Sequence, residues 1–392
     1  MLCDVRRYYV IIEITKYFRE RKILTMDFKP NKYIEPDFTE ERFSRAPDCV
    51  LCAAPGDGIA PEGFHATSIF PEYFKRGGVW HLAEDMRMDA LAVWDGENVR
   101  VVEFRNIKKG DLVVTGRTED ASEGIYVHSR CFESDGEESD DVFSFRRGRS
   151  RETGFSADYE RLVKLLRYER ENGGYVVWVL GPACSFDVTA REIMSRIISA
   201  GYCQALLAGN ALATHDLEGA YLGTALGCDL RTQKSREMGH YNHLDTINAV
   251  RACGSAESFI KEKNIESGII RSCVKSGVPF VLTGSIRDDG PLPEVTADTY
   301  EGQDKMRFHI SRATTVIGMA SVLHTIAAGN MTPSYRVTED GTIRPIYFYM
   351  VDSSDFAAGK LSDRGSLTAK SIVTNVQDFM KTIGAGLGLY QY

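Results

Sequence analysis

The chain has no excess of positive charge and no apolar run of membrane-spanning length. It also lacks a complete metal-ligand set and a glycine-rich nucleotide fingerprint in the expected place. Lysine and arginine number 47 against 55 acidic residues, a net charge of −8. That balance offers no long-range attraction to nucleic acid or to an anionic membrane, so neither is expected as a partner and a small molecule is. The most apolar early stretch, Tyr8 to Ile14, contains Glu13, is too short to span a bilayer and has no small-residue cleavage site after it. Residues 1–25 read as a mis-called start or a short appended helix, because Met26 begins a more typical opening. The 9 cysteines are odd in number and scattered through apolar segments, which points away from a disulfide framework and towards a reducing cytoplasm. Cys49-x-x-Cys52 supplies half of a zinc site, but no second CxxC or HxxxH follows, and no metal is expected. The only Gly-x-Gly-x-Gly, Gly384 to Gly388, follows a helical stretch rather than a strand and reads as a flexible tail.

What is present is a chain of 392 residues with 43% hydrophobic content, enough for a large core and two domains in a soluble globular protein. Residues 26–131 are β-rich: DALAVWDGENVRVVEF holds two apolar runs joined by an Asp-Gly-Glu-Asn turn, a hairpin signal. Residues 132–155 pass from an acidic to a basic block and read as a charged linker loop. From 156 to 392 buried-strand runs such as YVVWVLGP, CQALLAGN, VPFVLTGS, ATTVIGMA and RPIYFYMVD recur, several of them preceded by a helical stretch. The fold class expected is α/β: a parallel sheet with helices on both faces, preceded by an N-terminal β-rich α+β domain.

In such sheets ligands bind beyond the carboxyl ends of the strands, where helix N-termini leave N–H groups unpaired. Those ends carry Gly181-Pro182-Ala183, Gly209-Asn210-Ala211, the loop Gly284-Ser285-Ile286-Arg287-Asp288-Asp289-Gly290, and Ser321-Val322-Leu323-His324. Adjacent carboxylates at Asp288 and Asp289 suit ribose hydroxyls, while Arg287 could instead neutralise them in a structured turn; the residues alone leave both readings open. The 8 histidines include His215, His240, His243 and His324 in the α/β part, and GHYNHLDTINAV sets Asn242 and His243 at a helix start. His215 and His243 are the general acid and base candidates, since imidazole exchanges protons near neutral pH.

LLAGNALATHDLEGAYLGTALGCDL, GHYNHLDTINAVRACGS, GIIRSCVKSGVPFVLTGSIRDDGPLPEV, LHTIAAGNMTPS and LSDRGSLTAKSIVTNV closely resemble the LOR/SDH conserved-domain family. APEGFHATSIFPEYF followed by RMDALAV resembles the family's N-terminal domain, and the likeness runs from about Asp48 to Phe379. That family includes archaeal-type ornithine cyclodeaminases and the C-terminal part of cyanobacterial arginine dihydrolase/ornithine cyclodeaminase fusions. The resemblance implies a Rossmann-like NAD-binding domain of the deoxyhypusine-synthase type, which accounts for the missing fingerprint. The implied reaction turns L-ornithine into L-proline and ammonia. A hydride leaves Cα for NAD⁺, the δ-amine attacks the resulting imine, ammonia departs, and the cyclic imine takes the hydride back, so a tightly held, recycled NAD is implied.

Matched position by position, the resemblance implies cofactor contacts at Gly209, Asn210 and Ala211, at Asn242, at Ser285, Asp288 and Asp289, at Ser321, Leu323 and His324, at Gly329 and Asn330, and at Asp363 and Arg364. Arg87 could hold a substrate carboxylate bidentately and Asp89 an ammonium, each weighed against an inter-domain salt bridge. Two departures bear on substrate choice. Relatives carry Thr-Asn-His-Pro-Thr where this chain has Ser68-Ile69-Phe70-Pro71-Glu72, and a histidine after Gly-Pro-Ala where it has Cys184-Ser185-Phe186-Asp187. The alternatives to ornithine cyclisation are an NAD-dependent dehydrogenase or reductase of another amino or imino acid, and a non-catalytic NAD-binding protein. A homo-oligomer is expected, as is common for enzymes of this size.

Overall fold

The computed structural model describes residues 28–133, 154–288, 290–354 and 369–391. Residues 1–25, most of the charged linker, Asp289, Asp363 and Arg364 lie outside the described residues.

The first part is built from short antiparallel strands: β1 (Val50–Ala53), β2 (Glu72–Arg76), β3 (Val79–Leu82), β4 (Leu91–Trp94), β5 (Val99–Val102), β6 (Leu112–Thr115) and β7 (Ile125–Val127). They form a four-stranded sheet in the order β1-β6-β4-β5 and a three-stranded sheet β3-β2-β7. The hairpin read from the Asp-Gly-Glu-Asn turn joins β4 to β5. It closes because Asp95 Oδ1 accepts from the Glu97 and Asn98 backbone N–H groups, at 3.0 and 2.9 Å, while Gly96 takes φ +112°.

The second part opens with helix α1 (Gly154–Glu171) and strand β8 (Val176–Leu180). It continues through α2 (Val188–Ser199), β9 (Ala205–Gly209), α3 (Asn210–Tyr221) and a small ribbon of β10 (Thr224–Ala225) and β11 (Cys228–Asp229). After α4 (Asn242–Cys253), α5 (Ala256–Glu262) and α6 (Ile269–Ser276) come β12 (Phe280–Thr283), β13 (Val295–Thr296), α7 (Thr299–Ile310), β14 (Thr315–Met319) and α8 (Val322–Met331). The hairpin β15 (Tyr335–Val337) and β16 (Ile343–Pro345) precedes β17 (Tyr347–Asp352), β18 (Ala369–Val373) and α9 (Val376–Gly386).

Seven of these strands make one sheet in the order β13-β12-β9-β8-β14-β17-β18, and every pairing in it is parallel. Taken without the two-residue β13, the six main strands have the 3-2-1-4-5-6 order of doubly wound nucleotide-binding sheets. Both faces are covered, which is why β8 reads as an unbroken apolar run. Val176, Trp178 and Leu180 pack with Leu162, Ile193, Leu212 and Phe379 on one side, while Val177 and Val179 pack with Met306, Ile310 and Met331 on the other.

The C-terminal glycine run departs from the reading as a flexible tail. Gly384 and Gly386 lie within helix α9, where a Cβ would stand 2.7 Å from Ile193 Cγ2 and 2.6 Å from Val163 Cγ2 respectively. Their lack of a side chain lets α9 settle closely on α1 and α2.

The two parts meet through the hairpin and helix α8. Tyr335, Val337 and Ile343 join the core of the first part beside Phe74 and Met86, and the Met88 N–H donates to the Asn330 carbonyl at 3.2 Å.

Candidate active site

The chain turns away from the sheet at the ends of β8 and β14, the neighbours between which the strand order reverses. There the Gly181 N–H donates to the Met319 carbonyl at 2.8 Å, and Ala320 adopts a left-handed φ of +53°. A crevice must open at this point, because the following segments depart to opposite faces of the sheet. Pro182 starts a short 3-10 turn on one side, and α8 starts after Ser321 on the other.

His324, on the first turn of α8, reaches over the ends of β9 and β12. Its Nε2 is 2.6 Å from Thr283 Oγ1 and its Nδ1 is 3.0 Å from Ser321 Oγ. Burial pushes its pKa below the usual histidine value, and the charge of Asp288 opposes that shift. A Cβ on Gly209 would stand 3.0 Å from the His324 ring, so the glycine is what permits this approach.

Asn210, the first residue of α3, ties the next strand end to this one. Its Oδ1 accepts from the Leu292 N–H at 3.1 Å and from Thr214 Oγ1 at 3.2 Å. The proline-rich loop after β12 is thereby fastened beside the Gly209-Asn210-Ala211 turn. Within that loop Asp288 Oδ2 accepts from the Ser285 N–H at 2.8 Å, making a closed turn, and Ile286 projects into solvent. Leu323, 80% exposed, precedes His324 on the first turn of α8. Gly329 and Asn330 lie further along α8, towards the first part of the chain.

The two candidate acid–base histidines form a second group below the loop that follows β8. The His215 and His243 rings are 6.4 Å apart, and Phe186 packs at 5.4 Å from His215. His215 Nδ1 lies 2.9 Å from Glu218 Oε2, and Thr224 Oγ1 donates to Glu218 Oε1 at 2.7 Å. Asn242 Nδ2 in turn donates to Thr224 Oγ1 at 2.8 Å. Sequence reading missed Glu218, Thr224 and Thr283. A carboxylate three residues after a histidine on a helix was the available signal for the first.

Arg87 and Asp89 stand apart from both groups in their bonding. Arg87 Nη1 pairs with Glu103 Oε1 at 2.6 Å, and Arg307 Nη1 of α7 reaches the same oxygen at 2.5 Å. Burial opposes ionisation of Glu103, but the two guanidinium groups prevail and hold its pKa at about 2. Arg87 is thus committed to a protein carboxylate that bridges the two parts. Asp89 is exposed, has φ +59° and donates its N–H to the Thr67 carbonyl at 3.1 Å. Ile69 of the Ser68–Glu72 segment is buried, and its carbonyl accepts from the Ser334 N–H at 2.8 Å. Among the described residues no three His, Cys, Asp or Glu side chains are arranged to hold a metal ion.

Residues 160–383 match the model of the arginine dihydrolase ArgZ-like C-terminal Rossmann-fold domain. The chain is 37% identical over 338 residues to an ornithine cyclodeaminase of Methanothermobacter thermautotrophicus, covering 85% of this chain and 77% of that protein. Among solved structures, a LOR/SDH protein from Methanococcus maripaludis superposes with a TM-score of 0.77 at 32% identity, covering 87% of this chain and 98% of that one. The ternary complex of AgrE with ornithine and NAD⁺ superposes with a TM-score of 0.55 at 32% identity, covering 88% of this chain and 46% of that one.

Proposed function

Because the chain belongs to the family of archaeal-type ornithine cyclodeaminases and ArgZ-like C-terminal Rossmann domains, we propose that it is an NAD-dependent ammonia-lyase converting L-ornithine to L-proline and ammonia. The observation that carries this reading is the meeting of strand ends after β8, β9 and β14, where Gly181 lies against Ala320, Ser321 is bonded to His324, and His324 packs on Gly209 next to Asn210, in a chain so closely related to ornithine cyclodeaminases. The residues fit a dinucleotide: glycines give close backbone approach, and α3 and α8 aim their N-termini at the crevice. NAD, when bound there, supplies a reversible hydride acceptor, so the reaction ends without net oxidation.

The chain's own groups account for the remaining needs. His324, kept neutral by burial and engaged at both ring nitrogens, holds the Thr283 and Ser321 hydroxyls in place beside the cofactor without adding a charge. His215 and His243 are assigned the proton exchanges at the substrate amines, with Phe186 closing an apolar wall over His215. Asp89 is assigned the substrate ammonium, while Arg87 acts through Glu103 to keep the Arg87–Asp89 segment against the second part. The cofactor roles of Asp289, Asp363 and Arg364 are proposed on family resemblance alone. A homo-oligomer working in a reducing cytoplasm completes the proposal; among the described residues the cysteines are free thiols, and no helix is long and apolar enough to cross a membrane.

Incubation of purified protein with ornithine and NAD⁺ tests the reading. Proline and ammonia in equal amounts without net NADH are the expected result. Accumulating absorbance at 340 nm would instead indicate a dehydrogenase, and NAD binding without turnover of any diamino or imino acid a non-catalytic protein.

A further inference from the structure

Glu218 is fully buried, at 0% exposure, on the third turn of α3. A carboxylate in that position is unfavourable unless its lone pairs are met. Four donors meet them: His215 Nδ1 at 2.9 Å, Thr224 Oγ1 at 2.7 Å, and the backbone N–H groups of Leu226 and Gly227 at 3.2 Å each. Burial alone would raise its pKa, but the bonds from His215, Thr224 and Gly227 outweigh it and hold the group below the ordinary glutamate value. It is therefore an anion at neutral pH.

The consequences run in two directions. An ionised carboxylate can only accept, so His215 carries its proton on Nδ1 and leaves Nε2 with the lone pair. On the other side, Thr224 accepts from Asn242 at 2.8 Å, and Asn242 begins the helix whose next residue is His243. His243 Nδ1 is enclosed and meets no hydrogen-bond partner among the described residues. One carboxylate thus orients the first imidazole directly and anchors the segment that presents the second.

We propose that Glu218 is the positioning residue of this site, fixing His215 as the Nδ1–H tautomer and, through Thr224 and Asn242, holding His243 near enough to serve the same substrate amine. This inference rests on the reading of the site as ornithine-converting. A purely structural Glu218, serving only to tie down the turn at Leu226 and Gly227, would leave kcat unchanged in a folded Glu218→Gln protein, because the histidines would not depend on it for their chemistry.

The test uses the full chain labelled with ¹⁵N-histidine, with His215→Ala identifying the His215 signals. In the wild-type protein, long-range ¹H–¹⁵N correlations should show His215 protonated at Nδ1. Glu218→Gln should shift that pattern and lower kcat for proline formation about 10- to 100-fold, while KM for ornithine and Kd for NAD stay within about threefold. Glu218→Asp should recover part of kcat. An Nε2–H tautomer for His215 in the wild-type protein overturns the proposal, and this needs no variant to fold. So does a Glu218→Gln protein with unchanged kcat and an unchanged tautomer. Failure of the wild-type protein to make proline would instead count against the ornithine reading, and the tautomer measurement would still decide the role of Glu218.

Discussion

Gly181 and Ala320 approach so closely that a Cβ on the glycine would stand 1.7 Å from the Ala320 carbonyl oxygen. The obstacle is backbone from the adjacent strand end, and no rotamer change can relieve it. Gly181→Ala must therefore separate β8 from β14 at the mouth of the crevice. Overpacking of this kind costs about 1–3 kcal/mol, and the expected outcome is a lower thermal midpoint together with weakened NAD binding by calorimetry. Unchanged NAD affinity would remove this edge from the cofactor site.

Asn210 links two strand ends through one oxygen. Asn210→Ala leaves the buried Leu292 N–H without its acceptor, a loss of about 1–3 kcal/mol. The loop after β12 should loosen, with faster hydrogen exchange at Leu292 and a higher Kd for NAD. An exchange rate equal to that of the wild-type protein would show that the loop is held by other contacts.

His324 has a folded pKa depressed by burial. The unfolded chain binds a proton at this position below about pH 6.5 that the folded chain does not. Stability should therefore fall as pH drops below about 6.5, until the folded pKa is reached. In His324→Gln, which cannot titrate, this part of the pH dependence should disappear from urea unfolding curves. An identical slope between pH 5 and 7 in both proteins would contradict the assignment.

Glu103 answers to pH in a lower window. Its folded pKa of about 2 lies below the unfolded value of 4.5. The stability it confers is complete above about pH 4.5 and is lost as pH falls towards about 2, an effect of about 3 kcal/mol. Glu103→Gln should abolish that contribution and leave Arg87 and Arg307 without their shared carboxylate. Chemical denaturation at pH 7 should show a loss of similar size; less than about 0.5 kcal/mol would mean that the bridge is not a structural link between the two parts.

Much of the architecture could be read in advance from local patterns. The unbroken apolar runs of β8 and β14 announced a sheet covered on both faces, and the Asp-Gly-Glu-Asn turn announced its hairpin. The glycines at 181 and 209 marked strand ends where a side chain would collide with Ala320 and crowd His324. The C-terminal glycines misled for a physical reason: a Gly-x-Gly-x-Gly spacing looks the same in a loose tail and in a helix pressed against Ile193 and Val163.

The sequence by itself determined where strands end, which of their ends lack side chains, and which residues at those ends can exchange protons, because each is a property of a short run of neighbours. Only the tertiary structure decided the partners. Arg87 finds Glu103 and shares it with Arg307 rather than standing free, Asn210 finds the Leu292 N–H, and His324 finds Thr283. A buried charge must take whichever donors the packed chain brings within hydrogen-bond reach, and that choice is made by the folding of distant segments onto one another.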